Sequence, residues 1–364
     1  MPSNYSVEYY NGASYVALTG VQNLDLRWGR QKITDTWSAT TGSVVIKAPN
    51  YFASPITQLV PGVAIRITNV TAAQQICILY LSDIKVDYGI PYASSIGNAD
   101  FITLTLEGAF ARFARIQGNG YSMAAGTMTA QLSAASTQAN ITLGVDSSNS
   151  PNSQVATTTV DGSWADWLNT FLVTNGARMQ DYNVNPNISF KYAIGTGLNF
   201  SDTTNDSTNK AYYALNFGSL ADNFYTQVTV DGNTLSPVTV QSGSSPYRSL
   251  NLKTFSSSTS EATDLANYYL ASLNTSKVQA VSVSMMNEKQ NVKNLDFNFF
   301  GRTQLKSNLT FRGTTQSVLV IGGTLSATPD RMMMTCYLSG FENNNFLTLN
   351  DSVYGRLDYN KLGF

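Results

Sequence analysis

The sequence predicts a mainly β protein with a few helices, a β-rich α+β chain in which two β domains flank a mixed α/β middle region. Three observations predict it. Period-two runs of β-branched and aromatic residues, punctuated by Gly, Asn, Asp and Pro, fill the first 115 residues and return over 277–350. A 3.6-residue apolar period occurs in only two stretches, 161–177 and 258–273. No helical pattern separates neighbouring strand patterns within either β region, which points to sandwich- or barrel-like sheets rather than βαβ units. A length of 364 residues fits two or three domains and leaves room for large cores. The predicted partition is 1–117, N-terminal β domain; 118–277, middle region with helices at about 162–175 and 259–273; 278–345, C-terminal β domain; and 346–364, a tail.

The N-terminal elements follow in order. VEYYNGASYVAL (7–18) is two alternating runs around Asn11-Gly12, a strong hairpin signal. VQNLDLRW, GSVVIKA (42–48), VAIRITNV (63–70), ICILYLSDIKVDY (76–88) and DFITLTLEGAFARF (100–113) read as further strands. Past Gly118-Asn119-Gly120 the chain turns small and polar, and 121–160 shows no strong period. In DGSWADWLNTFLVTNGA, Trp164, Trp167, Leu168, Phe171 and Leu172 share one helical face. Asp161 or Ser163 caps its start and Gly176 ends it. NISFKYAI (187–194) reads as a strand, NFSDTTNDSTNK (199–210) as a polar loop, and FYTQVTVDGNTLSPVTVQ (224–241) as a hairpin turning at Asp231-Gly232. Ser258-x-x-Glu261 is a capping box opening the second helix. KVQAVSVSMM, LDFNFF, SNLTFRG, QSVLVIGGTL and RMMMTCYLS are the closing strands.

Composition excludes much chemistry. The chain has no histidine, which removes Ser-His-Asp and Cys-His catalysis and the commonest zinc sites. No Gly-rich phosphate loop occurs. Charged residues are 12% of the chain, about half the usual share, and the net charge of −1 gives no field that gathers nucleic acid. The first residues, Met-Pro-Ser-Asn-Tyr-Ser, predict no secretion signal and synthesis in a cytoplasm. No apolar run approaches the roughly 18 residues of a membrane span. No catalytic residue, cofactor or metal is predicted. SDTTNDST (201–208) lacks the Gly and terminal Glu of a calcium loop, and Asp35 and Glu107 read as solvated or capping acids.

Two segments carry alternatives. Met332, Met334, Cys336 and Leu338 line one side of a strand, as core filling or as a soft-metal row. Gly322-Gly323 upstream suggests a bulge or close backbone approach. In LRWGRQKITDTW (26–37), Arg27, Trp28, Arg30 and Trp37 are either a subunit or tube interface or a strand end with cations stacked on aromatics. Gly29 suggests that this segment is exposed.

The order of the pieces resembles the tail hub, or minor tail, proteins of tailed bacteriophages. VQNLDLRWGRQKITDTWSATTGSVVI is similar to that family's opening strand and the approach to its next strand. ILYLSDIKVDY followed by ITLTLEGAFARFAR resembles its closing strand pair and the exit from its first barrel. WADWLNTFLVTNGARMQDYN…ISFKY resembles its central helix, glycine stop and strand. ADNFYTQVTVDG with SPYRSLNLKT, EATDLANYYLASLNTSKVQAVSV and VLVIGGTLSATPDRMMMTCYLSG resemble its middle hairpin, last helix and closing hairpin. The resemblance spans roughly 16–340, with SVYGRLDYNKLGF as a similar tail; 121–160 and 195–215 fit no family pattern and read as insertions. It implies two tail-tube-like β-barrels per chain, and a homotrimeric ring joining a sixfold tube to a threefold tip within the virion. It also implies partners among the distal tail ring, tail tube, tape measure and tip or fibre proteins, with DNA present only in transit. A receptor- or glycan-binding tip protein using Trp and Tyr platforms, and the hexameric distal-tail ring, are the alternatives.

Overall fold

The structure is a computed structural model that describes residues 5–340, apart from 50, 52–53, 71–73, 89–98, 147–153, 190–198, 207, 219–223, 234, 274–278, 289–299, 302 and 304. LDFNFF, apart from Phe300, and the tail 346–364 lie outside the described residues.

The N-terminal strands are β1 (Tyr5–Tyr10), β2 (Tyr15–Ala17), β3 (Val21–Gly29), β4 (Thr41–Pro49), β5 (Ala64–Asn69), β6 (Gln74–Asp87) and β7 (Ala99–Glu107). Alternation fixes which face of each strand is buried. In β7, Ile102, Leu104 and Leu106 are buried while Phe101, Thr103 and Thr105 face outward. The β1–β2 turn forms because the Asn11 carboxamide oxygen accepts the Ala13 and Ser14 amides at 2.9 and 2.8 Å, and Gly12 takes φ +98°.

These strands and the C-terminal ones share one 14-stranded sheet. Its backbone runs Ala214–Gly218, Gln279–Glu288, Arg331–Gly340, Thr314–Ala327, β3, β4, β7, β6, β5, β1, β2. β3 joins the two halves, pairing antiparallel with Thr314–Ala327 from Leu24↔Ala327 to Gly29↔Gly322. The other part of that long strand pairs with Leu305–Phe311, so it serves two neighbours along one edge and kinks between them at Val320/Gly322. The sheet does not close on itself among the described residues, so the expected closed barrels are not seen in these strands.

Four helices are described. α1 (Phe110–Arg115) occupies what reads as the end of a strand in the sequence. α2 (Met128–Ala139) lies in the region that shows no strong period. Its buried face of Met128, Gln131, Leu132, Ala135 and Ala139 has helical spacing, but alanine and glutamine carry little hydropathy signal. α3 (Trp164–Thr174) begins with a capping box between Ser163 and Asp166, and Gly176 follows at φ +54°. α4 (Thr259–Leu273) starts where the Glu261 amide donates to Ser258 Oγ. The expected polar loop at 199–210 instead contains two short strands, Asn199–Ser201 and Asn209–Ala211, paired in parallel around a turn that Asp206 organises.

Three hydrophobic cores result. The first lies under the large sheet and draws on both ends of the chain, from Val7 and Leu24 to Met334 and Cys336. The second packs α1, α2 and α3 with Met179 and Ile188. In the third, α4 covers the three-stranded sheet of Gln227–Asp231, Val238–Gln241 and Ser249–Lys253. Removing each large apolar side chain from water contributes about 1.5–3 kcal/mol, so burial in these clusters is the main favourable term holding their segments in place.

Candidate functional site

The segment from Arg27 to Trp37 leaves the central seam of the sheet and enters all three cores. Trp28 belongs to the first core, Ile33 to the third and Trp37 to the second. Backbone crowding shapes its start. Gly29 has φ +66°, and a Cβ there would sit 2.5 Å from the Ile321 carbonyl oxygen and 2.6 Å from Gly322 Cα. A Cβ on Gly322 would meet the Arg30 carbonyl oxygen at 2.5 Å, and one on Gly323 would meet the Trp28 ring at 2.6 Å. Three glycines therefore let β3 and Thr314–Ala327 close over the indole, which packs on Phe300 at 4.7 Å between centroids. The suggested bulge and close approach at Gly322-Gly323 are both present.

Gly29 marks that approach and not exposure, which corrects the reading of the segment as exposed. Trp28, Arg30 and Trp37 are 1%, 4% and 4% exposed. The Arg30 amide donates to Ile321 O at 2.9 Å. Its Nη1 donates to Ile33 O at 2.8 Å and Asp35 O at 3.4 Å, and its guanidinium lies 4.1 Å from the Trp37 ring centroid. A further hydrogen bond runs to Tyr269 on α4. Burial pulls the Arg30 pKa down, opposed by Tyr269, Tyr268 and Asp35, and burial pushes that of Tyr269 up. Trp37 is held by α3: its amide donates to Asn169 Oδ1 at 2.8 Å and its carbonyl accepts from Asn169 Nδ2 at 3.2 Å. The cation stacked on an aromatic is thus an internal fixture joining three elements.

Arg27 alone of the four faces outward. Its side chain makes no hydrogen bond or ion pair among the described residues. It lines a 420 Å³ trough on the outer sheet face with Asp25, Thr41, Ser43, Thr324 and Ser326. Across this face the cross-strand row Ser284, Thr335, Thr324, Arg27, Thr41 is hydroxyl-bearing but for Arg27.

The remaining candidates resolve as structure. Met332, Met334, Cys336 and Leu338 are buried in the first core. Burial raises the pKa of the Cys77 and Cys336 thiols well above the ordinary value, so neither is a reactive thiolate. No metal-holding group of three or more acids and cysteines is present among the described residues. Asp35 accepts the Lys32 amide at 2.8 Å, and Glu107 pairs with Arg115. All four tryptophans are buried, so none forms a sugar platform. Sequence reasoning missed Asn169 and Tyr269 as anchors. Tyr269 reads only as part of an apolar face, and a lone Asn inside a helix carries no signal of its distant partner.

No protein-family model and no curated protein sequence matches the chain. Solved structures do match. The 43 kDa tail protein of prophage MuSo2 from Shewanella oneidensis superposes with a TM-score of 0.64 at 10% identity, over 91% of this chain and 98% of that one. A tail protein from Neisseria meningitidis gives 0.62 at 10% identity, over 92% and 96%. This chain has the fold of phage tail proteins. An E. coli type VI secretion component, itself structurally similar to the T4 tail proteins gp27 and gp5, shares the tail-protein fold with a TM-score of 0.58 at 11% identity, over 93% and 79%.

Proposed function

We propose that the chain is a structural subunit of a phage tail tip, a hub protein that forms a trimeric ring joining the tail tube to the tip or baseplate. The observation that carries this reading is a tail-protein fold covering nearly the whole of both chains. The low charge and the hydroxyl-rich outer sheet face suit a surface that meets other proteins over a wide area. In this reading the N- and C-terminal halves of the large sheet are the two tube-like units of each subunit, and the segments 121–160 and 195–215 are its insertions. Arg27 and its trough lie at a subunit or tube contact; Trp28, Arg30 and Trp37 act from within, by fixing the strand that presents Arg27. Neighbouring tail proteins are the partners, the virion is the destination and host cytoplasm the place of synthesis. No chemistry is assigned.

Light scattering on the purified full chain tests the ring. A trimer has a mass of about 119 kDa, three times 39.5 kDa. A hexamer would replace the hub reading with that of a distal-tail ring. A monomer at every concentration, alone and with tube protein, would overturn the ring reading.

A further inference from the structure

The α4 module hangs from a hairpin of the large sheet. Ala214–Gly218 and Gln279–Glu288 pair antiparallel down to Gly218↔Gln279, and 225–273 lies in the connection between them. The Tyr225 amide donates to Leu273 O at 3.2 Å, which ties the two ends of the module together. Within the module Gln227–Asp231 is the central strand, flanked by Ser249–Lys253 in parallel and by Val238–Gln241 antiparallel. Ser249–Lys253 lies against α3, and the Phe255 amide just beyond it donates to Thr174 Oγ1 at 2.8 Å. Val238–Gln241 is the opposite edge, and no strand pairs with its far side among the described residues.

The phase of the ladder decides which groups that edge presents. The Ser242 amide donates to Thr226 O at 2.9 Å. Val240 and Val238 turn the same way, toward Val228 and Val230. Thr239 and Gln241 therefore aim their main-chain N–H and C=O outward, and these groups make no hydrogen bond among the described residues. Their side chains are exposed on the polar face, where the Thr239 and Thr229 hydroxyls share a hydrogen bond at 3.0 Å. On the other face the half-buried Val238 and Val240 border α4, which packs over this strand and the central one. The end strands of the other sheets are blunted. β2, Asn209–Ala211 and the ends of the small sheets are three residues or shorter, and Ala214–Gly218 is bulged at Asn216/Phe217. Val238–Gln241 runs four residues with no charge, bulge or proline inside it.

We propose that the free edge of Val238–Gln241 is a docking site for an extended, uncharged segment of another protein, which adds a fourth strand to the module's sheet. The outward N–H and C=O groups of Thr239 and Gln241 fix the register of such a strand and bind it through its main chain. Its residues opposite Thr239 and Gln241 fall on the polar, uncharged face. Those opposite Val238 and Val240 fall on the α4 side, where apolar side chains extend the third core. The fitting segment therefore alternates apolar and uncharged polar residues. A second copy of this chain fits less well: a strand with one free edge pairs with its own copy only about a two-fold axis, which a ring of three does not contain. That preference rests on the ring reading; the free edge does not.

The probe is a capped, fluorescein-labelled hexapeptide of alternating valine and threonine, added to the full chain. Hydrogen exchange is expected to slow about tenfold or more over Val238–Gln241 and to stay unchanged over Leu305–Phe311. Thr239→Pro removes an amide that the module itself does not use, so the ladder to the central strand survives. That variant is expected to keep the wild-type melting temperature and native mass, and to bind the hexapeptide about tenfold more weakly by fluorescence anisotropy. Should it fail to fold, exchange in the wild-type chain decides alone. No added protection over Val238–Gln241 at about 1 mM hexapeptide overturns the site. A wild-type mass that grows with concentration, and no longer does so in Thr239→Pro, gives the edge to a second copy and overturns the foreign strand. The ring reading fails separately, on the wild-type mass without peptide.

Discussion

The Arg27–Trp37 segment and the α4 module are built on opposite plans. The module, 225–273, holds its own core; among the described residues, Ile33 is the one buried hydrophobic residue of that core that comes from elsewhere in the chain. The segment has no core of its own and contributes to three. In the module, specificity comes from ordinary alternation and a capped helix. In the segment it comes from backbone contact at Gly29, Gly322 and Gly323 and from one buried guanidinium. A change in the module should therefore stay local, whereas a change in the segment should spread.

Mutations can break or sharpen that contrast. The largest effect is expected from Gly323→Val, because the added atoms would meet the Thr335 carbonyl and the Trp28 ring, neither of which has room to move; a loss above about 4 kcal/mol leaves little folded chain, measured as soluble yield and circular dichroism. Trp28→Ala is expected to lose about 3–5 kcal/mol in urea unfolding. Arg30→Met is expected to lose about 1–3 kcal/mol, because the Ile33 and Asp35 carbonyls and the Tyr269 hydroxyl lose a donor inside the protein. Leu270→Ala is expected to lose about 2 kcal/mol, with hydrogen exchange rising within 225–273 alone; a rise in the large sheet would end the claim that the module is separate. Arg27→Ala is expected to leave the melting temperature within about 1 °C while changing the native mass of the assembly. The reverse pattern would make Arg27 structural.

Much of this fold was legible in the sequence. Strands β1–β7 and helices α3 and α4 follow from alternation, caps and glycine stops, and the Met/Cys row reads correctly as core. α2 was not legible, because small residues such as Ala135 and Ala139 bury a face without raising its hydropathy. In the candidate segment the exposure was misjudged: Gly29 offers permissive φ both to an exposed turn and to a close backbone approach. The approach depends on Gly322, some 290 residues away in sequence.

Hydrogen exchange on the Arg30→Met chain tests the central claim most directly, because peptides from all three cores are read in one experiment. The segment as a joint among three cores predicts lost protection around Trp28, around Trp37 with α3, and around α4 together. Loss confined to the few residues beside position 30, with the three cores as protected as in the wild type, would contradict it.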